Sequence, residues 1–194
     1  MMKIGYIVLL MGVLLSQAVC ATSPVVSDPS LQPPTLPMDS SCNLSVGNSV
    51  IDYGSQSRWQ MQSATTGVNT VTPGKRILML NVVCPYTQTM RLALRGDLRY
   101  GERGSTVARL FDVQMDGHSV QVANTTPSGI ITGTPTDAQV LQAGQTVAAV
   151  LNGQLAKGKA LSARLEIEPT LPEAEARVSA RKMNESTLTL ELVK

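Results

Sequence analysis

Residues 75–96, KRILMLNVVCPYTQTMRLALRG, read as two β-strands and the link between them. In the first, Leu78, Leu80, Val82 and Cys84 share one face. Ile77, Met79 and Val83 make the other face nearly as apolar, so a strand buried on both sides is expected. In the second, Met90, Leu92 and Leu94 alternate with Arg91, Ala93 and Arg95, the period-two pattern of a strand with one wet face. Pro85 has no N–H to give to a ladder and is expected to end the first strand. Cys84 then sits at the end of a core strand, where a covalent tie would hold two strands together.

On both sides of this stretch, turn signals recur every dozen or so residues, the spacing of an all-β sandwich. Leu44 and Val46 lead into Gly47-Asn48, and Val50, Ile51 and Tyr53 run up to Gly54. Trp59 and Met61 alternate with polar neighbours, and Pro73-Gly74 opens the central stretch. Residues 97–105, DLRYGERGS, read as a loop. Phe111, Val113 and Met115 are expected on one strand face, followed by Asp116-Gly117, the strongest hairpin signal in the chain, and by Val120 and Val122 on the returning strand. Residues 124–137 are a long loop, and Val147 to Leu151 a short strand. Ala163, Leu165 and Ile167 form a half-buried strand closed by Pro169 and Pro172. A turn or two of helix is expected within PEAEARVSAR, residues 172–181. Leu188, Leu190 and Leu192 alternate with Thr187, Thr189 and Glu191 in a last strand.

Composition narrows the function. The net charge is +2 with no cluster of Lys or Arg, which makes nucleic acid and anionic membrane poor partners. Aromatics are 3% of residues, too few for a stacking platform, so the core must be aliphatic. His118 is the only histidine and sits beside the hairpin turn, with no nucleophile motif near it. No cofactor motif and no zinc-ligand spacing is present. Asp112 and Asp116 share a strand face by parity, but a solvated strand end is a simpler reading than a pair of carboxylates for sugar hydrolysis. The chain is therefore expected not to be an enzyme and to carry no cofactor. Asn43, Asn124 and Asn184 each open an N-x-[ST] triplet, a weak signal.

Residues 1–21 read as a signal peptide: Lys3, an apolar run from Ile4 to Leu15, and Val19-Cys20-Ala21 before cleavage. Lipidation of Cys20 is the rival, against which Val19 stands as too large a neighbour. Cleavage leaves Cys42 and Cys84, an even count in an exported chain, and predicts a disulfide rather than two free thiols. Residues 22–41 carry Pro24, Pro29, Pro33, Pro34 and Pro37 and read as an N-terminal arm ahead of a domain spanning 42–194.

Cys42 at the start of the domain, Val50-Ile51-Asp52-Tyr53-Gly54 after it, Cys84-Pro85 at the end of a core strand and the alternating strand Ser186 to Val193 occur in an order that resembles chaperone–usher pilus (fimbrial) subunits. The resemblance spans about residues 42–194. It implies an immunoglobulin-like β-sandwich that lacks its final strand. It further implies donor-strand complementation by a periplasmic pilus chaperone, exchange for the arm of a neighbouring subunit at an outer-membrane usher, and export through the periplasm to the cell surface in a fimbrium that supports adhesion. In that scheme Leu188, Leu190, Leu192 and Val193 belong to the chaperone and donor-strand groove, and Val25, Val26, Leu31, Leu36 and Met38 are the apolar residues of a donor arm. Val193-Lys194 stands where the family has an aromatic, and Arg181 to Asn184 where it has a glycine. Adjacent Pro33 and Pro34 cannot both turn away from a ladder, so the arm is an atypical donor or a linker. This favours a minor or tip-proximal position over the shaft.

The same conclusion has a physical basis. A last strand with an apolar face and no following partner is an edge that natural monomers avoid, and a strand from another chain would resolve it. The rival function is a free-standing exported β-sandwich that binds carbohydrate or protein through its loops.

Overall fold

The computed structural model describes residues 41–177 and 180–193. The signal peptide and the proline-rich arm, with Val25, Val26, Leu31, Leu36 and Met38, lie outside the described residues.

The chain is an all-β sandwich of two antiparallel sheets. Its strands in chain order are β1 (Asn43–Val46), β2 (Gln62–Ser63), β3 (Thr70–Thr72), β4 (Arg76–Thr89) and β5 (Arg91–Asp97). Then come β6 (Arg99–Tyr100), β7 (Gly104–Met115), β8 (His118–Ser119), β9 (Gln121–Thr125) and β10 (Ala138–Leu141). The last are β11 (Thr146–Leu151), β12 (Gln154–Leu155), β13 (Lys157–Pro172) and β14 (Thr187–Val193), with one helical turn, α1 (Glu173–Ala176), after β13.

The first sheet is built on β13, which pairs with β4 and then β3 along one side and with β7 along the other. β1 extends it beyond β4, and β10 beyond β7. The second sheet runs β14, β5, β11, β9, with β12 forming a hairpin on the end of β11. Between them lies an aliphatic core in which Leu80, Val82, Leu94, Leu110, Val122, Val147 and Leu161 are fully buried.

The central stretch divides between the sheets. β4 belongs to the first and β5 to the second, with only Met90, itself buried, at the crossing. Three expectations for these residues need correction. β4 is not buried on both faces: Ile77, Met79 and Val83 are about half exposed, because among the described residues no layer covers the outer side of the first sheet. Ala93, placed by parity on the wet face of β5, is buried. Nor does Pro85 end the strand. The ladder to β13 is regular up to Val83 and resumes at Gln88, and Pro85 falls in the irregular stretch between, where no N–H is required of it.

Pro169 behaves similarly. It does not close β13, which continues to Pro172. Its cross-strand neighbour Thr106 turns its N–H away to the Leu98 carbonyl, so the pair exchanges no hydrogen bond. The missing N–H of Pro169 faces the gap where the ladder passes from β4, last paired at Ile167, to β3, first paired at Leu171.

On β7 the expected face of Phe111, Val113 and Met115 is broken. Asp112 has φ +52° and forms a bulge, so burial follows Ala108 and Leu110 before it and Val113 and Met115 after it, while Phe111 turns outward. Asp116-Gly117 does form the hairpin, with φ +49° and +81° as a type I′ turn requires. Trp59 is not in a strand: Arg58–Gln60 is a 3-10 turn that leaves it 93% exposed. The segment expected as a loop after Gly96 holds the short β6–β7 hairpin.

The cystine predicted from the cysteine count is present. Cys42 and Cys84 are bonded, with Cα atoms 4.2 Å apart, and tie β1 to β4 where those strands already pair.

Candidate functional site

The two long sides of the sandwich differ. On one, β9 of the second sheet and β10 of the first lie against each other, linked by paired hydrogen bonds between Val122 and Thr136. That side is closed. On the other, the first sheet ends in β1 and the second in β14. Among the described residues β1 pairs only with β4 and β14 only with β5, so each presents a free backbone edge.

The side chains follow this asymmetry. The main core is fully buried, and the apolar residues only partly buried against it are concentrated at these two edges: Cys42, Leu44, Val46 and Ile51 on the β1 side, and Leu188, Leu190 and Leu192 on β14. Strand parity explains the pattern. Leu44 and Val46 alternate with exposed Asn43 and Ser45, and the three leucines alternate with exposed Thr187, Thr189 and Glu191. Inward-pointing residues on an interior strand would be buried by neighbours on both sides, whereas these have a neighbour on one side only. Together they form an aliphatic seam along the sandwich with a backbone edge on each lip. Val193 shares the parity of Thr189 and Glu191 and is half-buried on the opposite face of β14 from the leucines.

β14 is held to β5 over its whole length, from Thr187 opposite Asp97 to Val193 opposite Arg91. Its entry depends on Gly96. That residue has φ +103°, and a Cβ there would lie 2.7 Å from the Thr187 carbonyl oxygen, so only glycine allows β14 to start this close. On the outer face Arg95 and Glu191 form an ion pair at 3.2 Å, half exposed on both sides, worth at most about 1 kcal/mol.

The Val50 to Gly54 motif leads away from the seam as an irregular segment. Ile51 packs inward and Val50 is exposed. Asp52 accepts a hydrogen bond from the Gly54 N–H at 2.7 Å, with Gly54 at φ +66°, which fixes the turn. The Arg76 guanidinium lies 5.4 Å from the centre of the Tyr53 ring. Burial pushes the Tyr53 phenol up to about 12, against the opposing pull of Arg76. Its hydroxyl has no hydrogen-bond partner among the described residues.

The residues considered for chemistry have structural partners or lie open to solvent. Asp116 accepts from the backbone N–H groups of Lys159 and Ala160, at 3.0 and 2.8 Å. Asp112 pairs with Arg164 at 3.3 Å, and His118 is exposed in its hairpin. Among the described residues no three His, Cys, Asp or Glu side chains converge as metal ligands. A hollow of about 450 Å3 lies over the disulfide, lined by Ser41, Asn43, Ser45, Val83, Cys84 and Pro85, and contains no titratable side chain. The seam was only half legible in the sequence. The leucines of β14 announce one lip by their alternation, but the contribution of Leu44, Val46 and Ile51 depends on which edge β1 joins, which no local pattern encodes. The chain matches no protein-family model, and a search of curated proteins finds no match.

Proposed function

We propose that this chain is a structural subunit of a chaperone–usher pilus, exported to the cell surface, in which the seam between β1 and β14 receives a strand from another chain. The supporting observation is the concentration of half-buried aliphatic side chains at the two edges of one side of the sandwich, while the other side is closed. A strand laid there would hydrogen-bond to both edges and bury the free sides of Leu44, Val46, Leu188, Leu190 and Leu192. Each such side chain contributes about 1.5–3 kcal/mol on going from exposed to fully buried, so completing even part of that burial is large against a domain stability of about 5–15 kcal/mol. A periplasmic chaperone supplies the strand first and a neighbouring subunit replaces it at the outer-membrane usher. Aliphatic side chains without a titratable group suit such a role better than catalysis. A minor or tip-proximal place in the fibre is preferred, because the prolines of residues 22–41 disfavour pairing along the arm.

The test is co-expression with a periplasmic pilus chaperone. The full chain is expected to co-purify with it, and Leu190→Asp, which puts a charge on the lip, is expected to lose the partner while retaining the disulfide. Recovery of both proteins as free monomers would favour the exported binding module instead.

A further inference from the structure

The segment that leads into β14, which begins at Thr187, is anchored ahead of that strand through Glu175 and Lys182. Glu175, on α1, has only 8% of its side-chain surface exposed. One carboxylate oxygen accepts the N–H of Glu102 at 2.8 Å and the other accepts the N–H of Arg103 at 3.0 Å, so the carboxylate spans two successive backbone donors of the β6–β7 turn. Lys182, in the segment leading into β14, donates to Glu175 at 3.5 Å and pairs with Glu102 at 2.9 Å. Two residues further, the Asn184 side chain reaches the same turn. A Cβ on Gly101 would lie 2.7 Å from the Asn184 Oδ1 and 2.9 Å from the Glu175 Oε1, so glycine is what lets the three segments meet. The β6–β7 turn, α1 and the lead-in to β14 thus converge on one carboxylate. β6 follows β5 after a single residue, so the same turn is tied to the strand on which β14 pairs.

We propose that Glu175 is a positioning residue, a latch that holds the lead-in of β14 on the β6–β7 turn and so fixes the β14 lip of the seam. The proposal rests on the seam reading for its functional meaning, but the latch itself concerns only the order of β14. Charge is essential to it. A glutamine at this position would offer one oxygen to two backbone donors, turn an N–H2 group on the other, and leave Lys182 without its buried counter-charge. Burial pushes the Glu175 carboxyl up, but the two backbone N–H bonds and Lys182 outweigh it and hold it below the ordinary glutamate range. The latch is therefore intact above that range and opens as pH falls through the lowered value. The charged groups around it are Lys182 from the lead-in and Glu102 from the turn; Glu173, on the same helical turn, is engaged elsewhere by Arg58 and Arg177.

Amide hydrogen exchange of Thr187–Val193 in the full chain tests this, with protection corrected for intrinsic rate and followed from about pH 7 to about pH 3. The measurement is made with and without a synthetic peptide alternating valine and threonine. Glu175→Gln is expected to speed exchange in β14 by about tenfold at neutral pH and to remove the wild-type loss of protection in acid. Gly101→Ala, which parts the segments without changing charge, is expected to speed exchange at neutral pH and to weaken the acid step, since the parted carboxylate no longer holds the lead-in. Glu173→Gln, which breaks only the neighbouring ion pairs, is expected to leave β14 as in the wild type. Wild-type protection of β14 in Glu175→Gln overturns the latch, whether or not the peptide binds. Loosening of β14 in that variant with no peptide binding to either protein upholds the latch and removes the seam reading.

Discussion

Tyr53 and Gly96 show how single residues bear on the fold in opposite ways. Tyr53 buries a hydroxyl that has no hydrogen-bond partner among the described residues, and its phenol is pushed up to about 12 by burial. A folded-state value above the unfolded one means that the folded chain keeps its proton longer. The associated stability is present below the ordinary tyrosine value and is lost as pH rises from there through about 12. Tyr53→Phe is expected to leave stability at neutral pH unchanged or slightly raised, since it removes an unpaired polar atom. It is also expected to flatten the alkaline slope of unfolding, to which Tyr100, raised as well by burial, still contributes. Urea unfolding at neutral and alkaline pH checks both. Gly96 has no such latitude: any Cβ meets the Thr187 carbonyl, and φ is positive. Gly96→Ala is expected to destabilise by about 1–3 kcal/mol, with loss of order at the start of β14, measured by denaturation and by amide exchange.

At the scale of elements, the sequence was readable where pattern is local. Alternation in Leu188, Leu190 and Leu192, the Asp116-Gly117 hairpin and the cysteine count all led to features that the structure contains. It was misleading where tertiary context decides. Pro85 and Pro169 read as strand ends because their missing N–H is a local property, whereas whether a donor is needed there depends on a bulge in one case and a change of partner strand in the other. The face of β7 was misread because one positive-φ residue, Asp112, resets the parity of everything before it. Ile77, Met79 and Val83 looked like core because an apolar face says nothing of whether a layer covers it. The disulfide is the element-scale device that secures β1, whose register with β4 covers only Asn43 to Val46. A Cys42→Ser, Cys84→Ser double variant, studied with a strand bound in the seam, is expected to lose about 4 kcal/mol in the chain-entropy model, read from its urea midpoint.

At the scale of the whole molecule, the sandwich is closed along β9 and β10, and among the described residues nothing pairs with the outer edges of β1 and β14. The proposed function rests on that difference. A domain that leaves two backbone edges and a row of leucines at one seam has a clear thermodynamic gain available from one added strand, and a corresponding tendency to aggregate without it. The most direct test is thermal unfolding of residues 22–194 alone, compared with the same chain carrying an alternating aliphatic strand joined after Lys194 by a flexible linker. The account predicts that the unfused chain is aggregation-prone or melts broadly at low temperature, and that the fused chain is a monomer with a sharp cooperative transition well above it. A sharp, reversible melt of the unfused monomer, unchanged by the added strand, would contradict it.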